Sequence, residues 1–321
     1  MDEPPLQPTS DEQQQPSTQH AQSPESSQPA TPREKGKANN TEDLAADLFP
    51  GNFERGYGSL NGALINAIAA PGGPDYATAS HLVRELQARI NGGHLVAAIK
   101  QPLPLAERQR LLNWLWEHGG EDVGIDKQVD GWNTLLLKAV HTNDTELVRW
   151  MLEEKGANPN LGPFISVAVG MWGADDLVPD SGSVLAAAVK WSTTPIVELL
   201  VQHGAVLANA CVVHCAVERG ERDMLEKVLD LGGDVEEKET FAIFGFKYVG
   251  TPLVRAVKQG DVEFVRLLLQ RGASVWGREC VNKKLKEEGK VVERNVIEMV
   301  RDSGVSDEVR KLVIDAWAQV E

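Results

Sequence analysis

The sequence has no apolar run approaching the ~18 residues needed to cross a bilayer. Its start, Met1-Asp2-Glu3-Pro4-Pro5, has neither the basic region nor the apolar core of a signal peptide. Cysteine is scarce: Cys211, Cys215 and Cys280 are all there is in 321 residues, too few and odd in number for a disulfide framework. Basic charge is in deficit, with 32 Lys and Arg against 47 Asp and Glu and a formal net charge of -15. A phosphate backbone calls for a basic stripe that releases counterions, so nucleic acid is not an expected partner, and neither is a membrane. These absences predict an intracellular protein, cytoplasmic with the nucleus as second location, and monomeric on its own. The sequons Asn39-Asn40-Thr41 and Asn143-Asp144-Thr145 then carry no weight.

Catalytic signatures are missing as well. There is no Gly-x-Ser-x-Gly, no His-Glu-x-x-His and no kinase-like set. The stretch Gly56 to Gly62 is glycine-rich but has no Walker lysine, and Asp175-Asp176 are adjacent carboxylates that diverge on a chain. Cys211, His214 and Cys215 stand at i, i+3 and i+4, so they share one helical face and are soft-metal ligand types. A fourth ligand is absent, and cysteine is among the most buried residues, so core packing is the favoured account. No enzyme activity, cofactor or metal is expected.

What is present falls into two parts. Residues 1–44 hold seven Pro, seven Gln and no aromatic residue, and cannot bury enough surface to offset their ordering entropy. They are expected to form a disordered acidic tail, with Ser23-Pro24 and Thr31-Pro32 as phosphorylation candidates and a short helix capped by Thr41 running to Phe49. Beyond the tail, pairs of adjacent apolar residues recur at i, i+1, i+4 and i+5. They are Leu111-Leu112 with Leu115-Trp116, Leu147-Val148 with Met151-Leu152, Ile196-Val197 with Leu200-Val201, Met224-Leu225 with Val228-Leu229, and Phe264-Val265 with Leu268-Leu269. A face this wide belongs to a helix wedged between neighbours. A glycine follows each quartet, at Gly119, Gly156, Gly204, Gly232 and Gly272, as a left-handed helix stop requires.

A second apolar segment precedes each quartet. The fullest is Thr251-Pro252-Leu253-Val254-Arg255-Ala256, where Thr can cap free amides and Pro suits the first helical turn. Others begin at Thr134, Ser183 and Cys211, the last as Cys211-Val212-Val213-His214-Cys215-Ala216. Signature, turn glycine, quartet and stop glycine together resemble the ankyrin repeat family, whose unit is a hairpin and two antiparallel helices of about 33 residues. The resemblance implies an all-α fold with short β-hairpin connections, an ankyrin-repeat solenoid. Its parts are degenerate copies over 45–128, four well-marked repeats over 129–276 with insertions at 161–182 and 236–250, and a C-terminal capping repeat over 277–321. The signature Pro survives only at Pro252 and the signature His only at His214, while Asn143 and Ser192 stand where a turn glycine is usual.

The resemblance also implies a non-enzymatic scaffold that binds a protein partner through hairpin tips and the C-terminal ends of first helices. Mapped onto this chain, those positions are Trp132, Asn133, His141, Thr142, Lys190, Trp191, Glu218, Arg219, Lys258 and Gln259. Trp and Arg are favoured anchors at such surfaces. Within the insertion at 236–250, Phe244, Phe246 and Tyr248 alternate as on one side of a strand and form a candidate binding finger. The alternative is an enzyme or small-ligand protein whose pocket is roofed by the 161–182 insertion, with Phe164, Trp172, Asp175 and Asp176.

Overall fold

The computed structural model describes residues 60–130, 133–165, 172–208, 210–237, 250–278, 294–301 and 304–320, all within the unit Asn40–Glu321. The expected tail, the helix at Thr41, Trp132 and the finger with Phe244, Phe246 and Tyr248 lie outside the described residues. The described helices come in pairs. They are α1 Leu60–Ile68 with α2 Tyr76–Arg84, α3 Gly92–Ile99 with α4 Leu105–Gly119, and α5 Leu135–His141 with α6 Thr145–Glu153. Next come α7 Ser183–Trp191 with α8 Thr194–Gln202, α9 Val212–Arg219 with α10 Arg222–Asp230, and α11 Pro252–Gln259 with α12 Val262–Gln270. The short α13 Val296–Met299 and α14 Asp307–Trp317 close the array.

Stacking runs through the first helices, since each of α1, α3, α5, α7, α9, α11 and α13 packs on the next. Their composition explains it. In α7 every residue from Ser183 to Val189 is buried, and in α9 every residue from Val212 to Val217, so small and branched apolar side chains fill all faces. The second helices bury one stripe: Leu147, Val148, Met151 and Leu152 in α6, and Met224, Leu225, Val228 and Leu229 in α10. The most enclosed helices are therefore the first of each pair, and the quartet helices keep a polar outer face.

Local chemistry sets the ends. Thr134 caps α5 by accepting from the Leu137 N–H at 3.2 Å, and Asn295 with Glu298 forms a capping box on α13. Pro252 occupies the first turn of α11, but the buried Thr251 hydroxyl makes no capping bond there. It is turned toward Gly277, where an added Cβ would come within 2.5 Å of it. The stop glycines Gly156, Gly204, Gly232 and Gly272 all have positive φ, whereas Gly119 has φ -89 and the left-handed residue is Gly120 at φ 66. Gly119 serves a different need, since a Cβ there would overlap Val123 Cγ2 at 2.0 Å. Asn143 takes the left-handed turn itself, at φ 61. Ser192 instead is extended at φ -107 and donates its hydroxyl to the Val140 carbonyl at 2.6 Å.

The connections include two antiparallel pairs among the described residues. Strands β1 Gln128–Asp130 and β2 Asn133–Thr134 pair with Gln128 opposite Thr134. The insertion at 161–182 contributes β3 Gly162–Ile165 and β4 Trp172–Val178, with Gly162 opposite Val178 and Ile165 opposite Trp172. Neighbouring connections are joined by side chains that accept backbone N–H groups: Asp126 from Asn158 at 2.9 Å, Asn160 from Val206 at 2.8 Å, and Glu236 from Ser274 at 2.6 Å.

Candidate functional site

Because stacking encloses α5, α7, α9 and α11, their side chains reach solvent chiefly in the last turns. There the structure brings together His141, Lys190, Trp191 and Glu218, and Arg255 joins them from the middle of α11. The Trp191 ring is 45% exposed, lies 5.2 Å from the His141 ring, and has the Lys190 ammonium over it at 5.1 Å. Lys190 continues to Glu218 at 3.3 Å, and Glu218 also meets Arg255 at 3.4 Å. A chain of contacts thus crosses from α5 to α11. Thr142, exposed beside His141, turns its hydroxyl back to the Ala139 carbonyl at 2.7 Å, and Asn133 is half-buried in β2.

Arg219 has another task. Its guanidinium donates to the Val189 carbonyl at 3.0 Å and to the Ser192 carbonyl, and pairs with Glu221 at 2.7 Å. It clamps α9 onto the end of α7, and its side chain is only 16% exposed. The exposed Lys258 and Gln259 sit farther along and help to line a cleft of ≈ 210 Å³ with His214, Thr251, Val254 and Arg255.

His214 lies in the floor of that cleft. Its Nε2 donates to the Glu237 carbonyl at 2.8 Å, and burial pushes the imidazole down to about 4, so it is neutral at physiological pH. Cys211 and Cys215 are buried beside it, with the Cys211 N–H on Glu237 Oε1 at 3.2 Å. Among the described residues no group of His, Cys, Asp and Glu is placed to hold a metal ion, and no helix is long and apolar enough to cross a membrane.

Sequence reasoning missed Arg255, although its place three residues before Lys258 puts both on one face of α11. It also missed Trp276, 50% exposed four residues after Gly272, whose position in a connection was the available signal. Within the 161–182 insertion β3 and β4 pair antiparallel, while the side chains of Phe164, Trp172, Asp175 and Asp176 lie outside what the structure describes.

The ankyrin repeat family pattern matches residues 131–162 and 250–278. Among solved structures, the human ASB11 ankyrin repeat domain is similar at 23% identity and a TM-score of 0.43, covering 69% of this chain and 82% of its own. The ankyrin repeat domain of Bcl-3 is similar at 19% identity and a TM-score of 0.42, covering 70% of this chain and 96% of its own. No curated protein matches. The two pattern matches fall on α5–α6 and α11–α12, each a helix pair of the array, and show that the chain carries ankyrin repeats.

Proposed function

We propose that this protein is a non-enzymatic scaffold that binds a protein partner across the C-terminal turns of its first helices, with Trp191 as the central anchor. Ankyrin repeats generally mediate protein–protein interaction. The observation that carries the assignment is the Trp191 ring, 45% exposed at the end of a helix otherwise enclosed and steadied by His141 and Lys190. An aromatic held in place before binding loses little rotamer freedom on contact. Anchors of this kind contribute ~2 kcal/mol or more, about thirtyfold in affinity.

The test begins with a partner recovered by affinity purification and mass spectrometry on the full chain. Its affinity for Trp191→Ala, shown to be folded by its melting curve, should fall about thirtyfold, with Trp191→Phe between the two. Wild-type affinity in Trp191→Ala rejects the surface.

A further inference from the structure

One buried side chain of the stack keeps an unused lone pair. His214, in α9, is 1% exposed, and its Nε2 gives the ring proton to the Glu237 carbonyl at 2.8 Å. In the neutral ring Nδ1 is therefore an acceptor. Nδ1 is buried and has no hydrogen-bond partner. Its neighbours supply no donor as they stand. The Gly250 carbonyl beside the ring is itself an acceptor, and Arg255 acts on the imidazole through its charge while its guanidinium meets Glu218 at 3.4 Å. The Thr251 hydroxyl is turned toward Gly277. A buried acceptor left bare is costly, and native structures hold few of them.

The ring forms part of the cleft of ≈ 210 Å³ between α9 and α11, whose other walls include Gly250, Val254, Lys258 and Gln259. A water takes about 30 Å³ of liquid, so this is space for a side chain rather than for one buried solvent molecule. Polarity narrows the choice. A carboxylate offers only acceptors to Nδ1 and to the Gly250 carbonyl. An ammonium has donors, but no acid stands among the described lining residues to pair with it, and a buried charge without a partner is costly. An aliphatic group leaves Nδ1 bare. A hydroxyl brings one donor, whereas a primary carboxamide is neutral and carries two on a single nitrogen.

We propose that this cleft is a carboxamide pocket, into which a protein partner inserts a glutamine or asparagine side chain that donates one N–H to His214 Nδ1 and the other to the Gly250 carbonyl, with its methylenes against Val254. That the side chain comes from a protein rests on the first-helix surface proposed above, to which the cleft residues Lys258 and Gln259 belong. Burial keeps the imidazole neutral, down at about 4, so Nδ1 stands ready as an acceptor at physiological pH. Selectivity follows from the same feature: a site that pairs a buried acceptor with a donor rejects an isosteric group lacking that donor far more strongly than an apolar pocket distinguishes by size.

The experiment titrates the full chain, labelled with nitrogen-15 at histidine, with the N-acetyl methylamides of glutamine, glutamate, methionine and lysine. The His214 Nδ1 resonance, identified by its absence from the His214→Gln spectrum, reports directly on whether the lone pair accepts a hydrogen bond. The glutamine compound should move it upfield and bind at least about tenfold more tightly than the methionine compound, which is of similar length and has no donor. The proposal is overturned if no compound moves the resonance, which leaves water as the occupant, or if any of the other three binds as tightly as the glutamine compound. Tighter binding of nicotinamide, a free primary carboxamide, overturns the assignment to a partner's side chain. With the partner recovered by affinity purification, His214→Leu, shown to be folded by its melting curve, should weaken binding about tenfold. Replacing each Gln and Asn of the bound partner segment by Met reads the same contact without altering this chain. Binding weakened in Trp191→Ala but unchanged by these replacements overturns the carboxamide contact and leaves the surface standing; binding unchanged in all of them removes the surface itself.

Discussion

Replacing Arg219 by Ala takes out a clamp between two repeats, and the cost follows from what the guanidinium holds. Two of its partners, the carbonyls of Val189 and Ser192, lie at the end of α7, where a helix leaves carbonyl groups without intrahelical donors. Both residues are buried, so water is a poor substitute. Hydrogen bonds to a charged group contribute about 1.5–3 kcal/mol each, and a buried acceptor left bare costs at the upper end. The third partner, Glu221, is 58% exposed and adds little. Two such bonds, discounted for the partial exposure of the side chain, give a loss of ~3 kcal/mol. Arg219→Lys keeps the charge but lacks the rigid fork that reaches both carbonyls, and should recover about half.

Equilibrium unfolding in urea, followed by circular dichroism, measures this directly as a lower midpoint at constant slope. Repeat arrays can lose cooperativity, so a broadened transition in Arg219→Ala, with the later repeats melting first, is the second expected sign. A loss below ~0.5 kcal/mol, the range of an ordinary surface change, would show that the clamp is not structural.

His214 titrates at about 4 because it is buried, while the unfolded chain takes up the proton near 6.5. Stability is therefore complete above about pH 6.5 and falls by up to ~3 kcal/mol toward pH 4. Thermal melts at about pH 7 and about pH 4.5 should show a smaller acid loss in His214→Gln, and an equal loss in both proteins contradicts the assignment. Asn143 combines φ 61 with an Oδ1 that accepts from the Thr193 N–H at 3.1 Å. Asn143→Ala loses both features, about 1–2 kcal/mol, and Asn143→Gly only the second, so an alanine variant at least as stable as the glycine one would be the wrong order. A Cβ at Gly119 would meet the Val123 side chain at 2.0 Å, whereas one at Gly92 would meet the Val129 backbone at 2.2 Å. Each alanine should cost ~1–3 kcal/mol, and a double-mutant cycle should find strong coupling of Gly119→Ala with Val123→Ala and none of Gly92→Ala with Val129→Ala.

The helix pairs were legible because their causes are local and periodic. An i, i+1, i+4, i+5 quartet such as Met224, Leu225, Val228 and Leu229 is a face before any neighbour is known, and all four are buried. The stops at Gly156, Gly204, Gly232 and Gly272 follow from chirality, which leaves the left-handed turn to glycine. Gly119 broke the pattern because two consecutive glycines, Gly119 and Gly120, serve two purposes, and only the packing of Val123 assigns which does which. The site was less legible for the same reason. Position alone put Arg219 at an outward helix end, but its long side chain folds back onto carbonyls of the preceding pair. The cleft at Arg255 needs α9 and α11 side by side, and no spacing along one chain segment expresses that.

The location of the proposed recognition surface follows from how the array is held together. Ion pairs tie successive second helices, Lys227 to Glu198 at 2.6 Å, Arg271 to Asp230 at 2.9 Å and Arg222 to Glu263 at 3.1 Å, but they are solvent-facing, screened by salt, and weak as a class. The burden of stacking therefore falls on apolar contact between first helices, and it claims nearly every position on them. Within α7 only Lys190 and Trp191 escape it, and within α9 the charged side chains begin at Glu218. A first helix enclosed on all sides can vary its chemistry only where the next repeat no longer covers it, in the last turn. Successive repeats align those turns, so side chains chosen one per helix become neighbours across the stack. That is how His141, Lys190, Trp191 and Glu218, from three different first helices, come together, with Arg255 joining them from the middle of α11.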